Sequence, residues 1–285
     1  MMKSPMLLAF AALLATGAQT LTAMTISGSD LLDKAVQDAL EASLAGQGIE
    51  AELLLDGSLK GTEALESGSV DAAILAVPDG GEGAPGLRTF PFGFQIVTIL
   101  VHASNPVTEL SYGQLNNLFS DGGSYSNWSD LTEATDWANR KISFWIYRSP
   151  KVISLEIFNA IVLKGTNFKS GLNYSASVED LVKSIVEDPS ALVLAPSVPA
   201  NSNYRSLAIK SNDSLQAYSP SPDNILFGDY PLRLPFILVV SSAMSESDLG
   251  KLLQAVYSAE VTAALVQSAM VPVPETEIRA ILGQL

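Results

Sequence analysis

The chain has 285 residues, with 16 Lys and Arg against 30 Asp and Glu, one histidine and no cysteine, for a formal net charge of −14. So negative a balance argues against nucleic acid or an anionic membrane surface as partner, and the missing cysteines exclude thiol catalysis and cysteine metal sites. The lone His102 leaves almost nothing for Ser-His-Asp chemistry or a histidine-based zinc site.

The chain opens Met1-Met2-Lys3 and runs without charge from Met6 to Ala15, then through small and polar residues to Ala23. A basic start, a short apolar run and a small-residue cut site describe a secretory signal peptide, residues 1–23, cut after Ala18 or Ala23. The run is shorter than the roughly twenty residues needed to cross a bilayer. The expected location is the periplasm or the medium. Removing Lys3 leaves 15 basic against 30 acidic residues, net −15.

From there short β-type runs alternate with amphipathic helical stretches, the pattern of an α/β fold. Met24 to Ser27 predicts a strand, Asp30 to Leu44 a helix, Glu50 to Leu55 a strand, and Ser58 to Ser67 a helix. Val70 to Val77 is nearly all apolar, as in a strand buried on both faces. Pro78 to Gly86 is a Gly/Pro loop, and Phe94 to His102 predicts one long strand with His102 at its end. Ser111 to Phe119 predicts a helix with Ser111 as N-cap. Lys141 to Tyr147 predicts a strand, Ser154 to Lys164 a helix, Ser177 to Glu187 a helix, and Ala191 to Ala195 a strand. Asn201 to Asp223 is polar and predicts a surface excursion; Leu234 to Ser241 predicts the last strong strand, and Glu246 to Met270 has helical periodicity.

Two strand-to-helix turns have the composition of a ligand site: Ser27-Gly28-Ser29 and Gly57-Ser58. Glycine lets the backbone approach a solute, serine adds a hydroxyl, and a helix N-terminus adds free N–H groups and partial positive charge. The carboxyl ends of neighbouring strands are also where open α/β sheets bind ligands. Arg148, after the strand that starts near Lys141, can present a two-pronged donor to a carboxylate or phosphate. Each of these residues has an equally ordinary reading, as a turn former, a cap or a solvated surface charge.

Between Gly93 and Leu131 the sequence is more specific. An apolar run is followed by Asn105-Pro106-Val107, Leu110-Ser111, Gln114-Leu115, Leu118-Phe119-Ser120 and Asn127-Trp128-Ser129-Asp130-Leu131. This block resembles the periplasmic phosphate-binding proteins of ABC importers. Further phrases fit the same family: Ser27-Gly28-Ser29; Gly57-Ser58 with Gly61 and Val70-Asp71; Arg148 with Phe158; Val182 to Ala191; Tyr230-Pro231-Leu232-Arg233; and Val271-Pro272-Val273-Pro274. The resemblance covers essentially the whole mature chain. It implies a two-lobed type 2 periplasmic-binding-protein fold, each lobe a mixed sheet flanked by helices. Residues 24–95 and 227–285 would form the first lobe and 96–226 the second, joined by crossings near 94–101 and 225–236. It implies a monomer without a cofactor or catalytic activity that closes on a small solute, phosphate or another oxyanion, for an ABC permease. The ligand residues it implies are Ser27, Gly28, Ser29, Gly57, Ser58, Arg148 and Ser154.

The sequence departs from that family at two places. Where the resemblance implies Ser-Gly-Thr after the arginine, this chain has Val152-Ile153-Ser154. Where family members place Ser-Asp or Ser-Arg before a proline step, it has Leu75-Ala76, with Asp79 as a displaced acidic substitute. A charge-assisted hydrogen bond contributes roughly 1.5–3 kcal/mol and each 1.4 kcal/mol is about tenfold in affinity, so losing two or three weakens phosphate binding by orders of magnitude. The alternative expectation is a binding-protein scaffold that acts as a receptor or interaction module without binding phosphate.

Overall fold

Aliphatic runs with polar turns between them form the strands, and Ser or Asp caps open most of the helices that connect them. The computed structural model describes residues 22–78, 86–149, 152–198, 201–211 and 216–284; the expected signal segment and Asp79 lie outside these. The chain begins β1 (Thr22–Gly28), α1 (Lys34–Gly46), β2 (Ile49–Leu54), α2 (Ser58–Glu66), β3 (Ala72–Ala76) and β4 (Leu87–Ile96). After Val97 come β5 (Thr98–His102), β6 (Glu109–Ser111), α3 (Tyr112–Phe119), a 3₁₀ turn at Trp128–Asp130 and α4 (Thr135–Ala138). Next are β7 (Ser143–Tyr147), α5 (Ser154–Phe158) running into a π turn at Asn159–Leu163, β8 (Asn173–Ser175), α6 (Val178–Glu187) and β9 (Ala191–Ala195). The remainder is β10 (Tyr204–Ser206), β11 (Ala208–Lys210), α7 (Pro222–Phe227), β12 (Arg233–Ser241), α8 (Glu246–Val256), α9 (Ala259–Gln267), β13 (Val271–Pro272) and α10 (Glu275–Leu282).

Two mixed sheets result, in the orders β13-β4-β12-β3-β1-β2 and β10-β5-β9-β7-β8, with β6 and β11 paired separately. In the first, β1 runs parallel to both β2 and β3 and lies between them. In the second, β7 runs parallel to both β8 and β9 and lies between them. Each sheet thus contains the same strand–helix–strand–helix–strand unit, in which the chain steps first to one side of its opening strand and then to the other. The carboxyl end of that opening strand is a topological switch point, where α/β sheets leave a crevice.

Four expectations change. The apolar stretch from Phe94 to His102 is not one strand: β4 belongs to the first sheet, β5 to the second, and Val97 lies between them. The Val97 N–H donates to Leu232 O (2.9 Å) and its carbonyl accepts from Tyr230 Oη (2.6 Å), so neither group continues a strand ladder. The polar excursion 201–223 contains β10 and β11, short strands held by pairing with β5 and β6. The helix expected from Ser154 changes to π geometry at Asn159 and stops at Lys164, which turns left-handed (φ 51°). The periodicity of 246–270 divides at Ser258, whose hydroxyl caps α9 by accepting from the Val261 N–H.

One apolar core runs from Ile26 and Phe92 under the first sheet, through Val97 and Ile99, to Leu118 and Trp128 under the second. The crossing is therefore buried, and Tyr230 within it is fully so. Burial pushes the Tyr230 hydroxyl far above the ordinary tyrosine value. Tyr230→Phe is expected to remove the bond to Val97 and cost about 1–2 kcal/mol, read as a melting midpoint roughly 3–6 °C lower. Because the folded pKa is raised, the stability tied to the neutral hydroxyl is present below pH about 10 and lost as pH climbs beyond it. Thermal melts from pH 8 to 11 are expected to show wild-type stability falling above pH 10 and the variant falling less.

Candidate functional site

The two switch points carry most of the residues singled out from the sequence. At the end of β1, Gly28 adopts φ +147°, and a Cβ there would lie 2.0 Å from Ile74 O on β3. Its carbonyl accepts from the Gly57 N–H (2.8 Å), while Ser29 N–H donates to Ile74 O (2.7 Å). Gly61 closes the arrangement, since a Cβ there would stand 2.8 Å from Gly28 Cα. The Ser27–Ser29 turn, the start of α2 and β3 are thus pressed together backbone to backbone, and that closeness is what requires glycine at position 28.

The hydroxyls of this turn already have work inside the fold. Ser27 Oγ donates to Leu54 O (3.0 Å), tying β1 to the last residue of β2. Ser58 Oγ accepts from the Ala76 N–H (2.9 Å), and Ser29 Oγ accepts from the Leu31 N–H (3.2 Å). A hydroxyl has one proton to donate as well as lone pairs to accept with. Ser27 has used its proton; among the described residues Ser29 and Ser58 have not. Gly57 brings no side-chain cap to α2, so the helix begins without one. The two departures from the family pattern fit this picture: Leu75 is buried beside Gly61, and Ala76 offers its backbone N–H to Ser58. Asp71 stays in the scaffold, its carboxylate accepting from the Thr25 N–H (2.8 Å).

At the second switch point Arg148 follows β7 directly. Its backbone N–H donates to Ser175 O (2.8 Å), and its guanidinium lies 5.4 Å from the centre of the Tyr174 ring. The side chain is exposed and makes no ion pair among the described residues. Ile153 takes the N-cap position of α5 and supplies no side-chain cap. Val152 and Ile153 are half-buried and pack against apolar clusters, so the residues replacing the expected Ser-Gly are packing residues. Ser154, the first residue of α5, is 1% exposed, and its Oγ has no partner among the described residues.

A second buried polar atom was missed. Gln95 Oε1, on β4, is also unpartnered among the described residues, and α5 packs against β4. The signal was present, since Gln95 is the one strongly polar side chain between Phe94 and Val97. A buried polar group without a partner is costly, so such atoms ask for water or ligand. The residues lining the Arg148 side, among them Glu156, Phe168 and Tyr174, had no signal in the sequence at all.

Residues 15–258 match the family described as the PBP superfamily domain. No curated sequence matches the chain. Among solved structures it is similar to a possible phosphate binding protein from Planctomyces limnophilus, with TM-score 0.67 and 14% identity over 93% of this chain and 97% of that one. It is similar to PstS from Borrelia burgdorferi, with TM-score 0.63 and 14% identity over 89% and 99%. It is also similar to an ABC-type phosphate transport receptor from Vibrio cholerae, with TM-score 0.61 and 19% identity over 88% and 99%.

Ser58 and Ser154 should respond oppositely to loss of the hydroxyl. Ser58→Ala strands the Ala76 N–H and is expected to cost about 1–3 kcal/mol, whereas Ser154→Ala breaks no bond and is expected to be neutral or slightly stabilising. Denaturant melts of the two variants in ligand-free buffer check this.

Proposed function

The chain belongs to the PBP superfamily, a family of binding proteins rather than enzymes, and from that premise we propose that it captures a small oxyanionic solute between two lobes for delivery to an ABC importer. The observation that carries the reading is the repeated switch point. Ser27, Gly28, Ser29, Gly57 and Ser58 stand at the carboxyl end of β1, and Arg148 and Ser154 follow that of β7, in topologically equivalent places. O–H groups on Ser29, Ser58 and Ser154 and an Arg148 fork that have no acceptor among the described residues form a donor set suited to an anion despite the net negative chain. Closing the lobes would bring these two half-sites onto one solute and stabilise the closed form by the contacts made only there.

The lobes in this reading are residues 24–95 with 227–285, and 96–226, turning about the crossing at Val97. The protein is exported, and no helix among the described residues is long and apolar enough to cross a membrane. Cleavage after Ala18 leaves β1 whole, because Thr22 and Ala23 pair with Ile49 and Glu50. The mass of the secreted protein is expected to correspond to a chain starting at Gln19; a start at Met24 contradicts that choice.

A second reading is favoured by one specific observation. Val152, Ile153, Leu75 and the inward commitment of Ser27 all spend on packing what the family pattern spends on ligand. On that reading the scaffold serves as a receptor or interaction module and binds no phosphate.

Calorimetric titration of the purified mature chain with phosphate, sulfate, molybdate and small carboxylates separates the two. Solute capture is expected to give saturable binding of at least one of these anions, weakened at least tenfold by Arg148→Ala, since a charge-assisted bond is worth about 1.5–3 kcal/mol. Absence of heat for every anion at millimolar concentration supports the interaction module.

A further inference from the structure

The Arg148 side of the candidate site is wider than an inorganic anion requires and sets apolar side chains beside the polar ones. A cavity of about 610 Å³ opens beside Arg148. That volume falls within the roughly 300–1,000 Å³ of sites that hold organic molecules. Its apolar lining is Val152, Leu155, Phe168 and Tyr174, and Glu156 stands on the same wall as Leu155.

Three features of this cavity select among anions. First, Arg148 has no carboxylate partner among the described residues, although Glu156 lines the same space, so its donors remain free for a ligand. The Tyr174 ring beneath the guanidinium limits its freedom and favours a flat, two-pronged approach, the geometry a carboxylate matches. Second, Glu156 places a negative charge at the cavity, which disfavours a second negative charge on the solute and so disfavours hydrogen phosphate dianion relative to a monoanion. Third, the apolar wall gains only when it is covered by apolar surface. Tyr174 is 45% exposed, and Leu59, which directly follows Ser58 in the first turn of α2, is 75% exposed. Apolar side chains therefore stand free beside both half-sites, and an inorganic oxyanion has nothing to place against them.

We infer that the cavity takes a monocarboxylate with an apolar body, its carboxylate on Arg148 and its body against Val152, Leu155, Phe168 and Tyr174. This rests on the solute-capture reading and narrows its ligand class. The replacement of the family's serine by Val152 then becomes a change of specificity instead of a loss of function. No covalent step is involved, and release is the reverse of binding.

The test is calorimetry on the mature chain, unfolded and refolded to strip carried solute, with benzoate, hexanoate and inorganic phosphate as probes. Benzoate or hexanoate is expected to bind at least tenfold more tightly than phosphate. Arg148→Ala is expected to weaken the carboxylate at least tenfold without moving the ligand-free melting midpoint, because the side chain is exposed. Val152→Ser is expected to weaken the carboxylate several-fold and to strengthen phosphate, and Glu156→Gln to narrow the gap between phosphate and carboxylate. Phosphate binding more tightly than both carboxylates overturns the inference while leaving solute capture standing. Failure of both carboxylates to bind overturns it as well, and the sulfate and molybdate titrations then judge solute capture separately. Carboxylate affinity unaffected by Arg148→Ala overturns the assignment of the cavity.

Discussion

Val97 is one residue between a strand of one sheet and a strand of the other, and its two backbone groups are held by the second crossing. Its N–H donates to Leu232 O and its carbonyl accepts the Tyr230 hydroxyl, both inside the continuous core. Buried peptide groups that leave a ladder must be satisfied elsewhere, and here the outgoing and returning chains satisfy each other. Arg233 secures the far side of the return: it donates to Ile225 O (2.7 Å) and Leu226 O (3.3 Å) and lies 5.6 Å from the centre of the Phe94 ring. Gly228 leaves room for that guanidinium, since a Cβ there would stand 2.6 Å from Arg233 Nη2. Two crossings bonded to each other replace two independent linkers, and under the proposed function they are where the hinge would lie.

The same economy explains the two half-sites. In each sheet a central parallel strand ends between neighbours that leave in opposite directions, so its carboxyl end is open by topology, whatever residues stand there. The first half-site is built largely from backbone: Gly28 against Ile74, Gly57 against Gly28, and Gly61 behind them. The second is built from side chains, with Arg148 laid on Tyr174 and an apolar wall from Val152 to Phe168. A rigid backbone cradle on one side and a shaped side-chain wall on the other divide the work. Under the proposed function, the first would hold a small polar group and the second would select what is attached to it.

Much of this was legible in the sequence, for physical reasons that differ by residue. The N-cap expected at Ser111 appears in the structure, its hydroxyl accepting from the Gln114 N–H, because capping is decided within four residues of chain. β9 has the expected bounds because an all-apolar segment has nowhere to go but between two layers. The resemblance implied a crossing somewhere in 94–101, but its place at Val97 was not legible, since apolar residues on both sides are equally buried and the distant Tyr230 and Leu232 bond the peptide where the chain turns. β10 and β11 were hidden because edge pairing, not apolar content, holds them. In the candidate site, the residue types at the turns were readable but the destinations of their hydroxyls were not. That Ser58 bonds Ala76, 18 residues away, and that the Ser154 Oγ finds no partner among the described residues, are facts of packing.

The central claim is that two lobes close on a small anion about the Val97 crossing. Because the chain has no cysteine, Glu63→Cys on α2 and Glu179→Cys on α6 give a doubly spin-labelled protein with labels only at those two exposed positions. Distances between the labels, measured by pulsed electron resonance without ligand and with saturating benzoate or phosphate, report the lobes directly. The account predicts that the anion that binds shifts the distribution by several ångströms to a single narrower population. A distribution unchanged by either anion, in protein shown by calorimetry to be saturated, would contradict it.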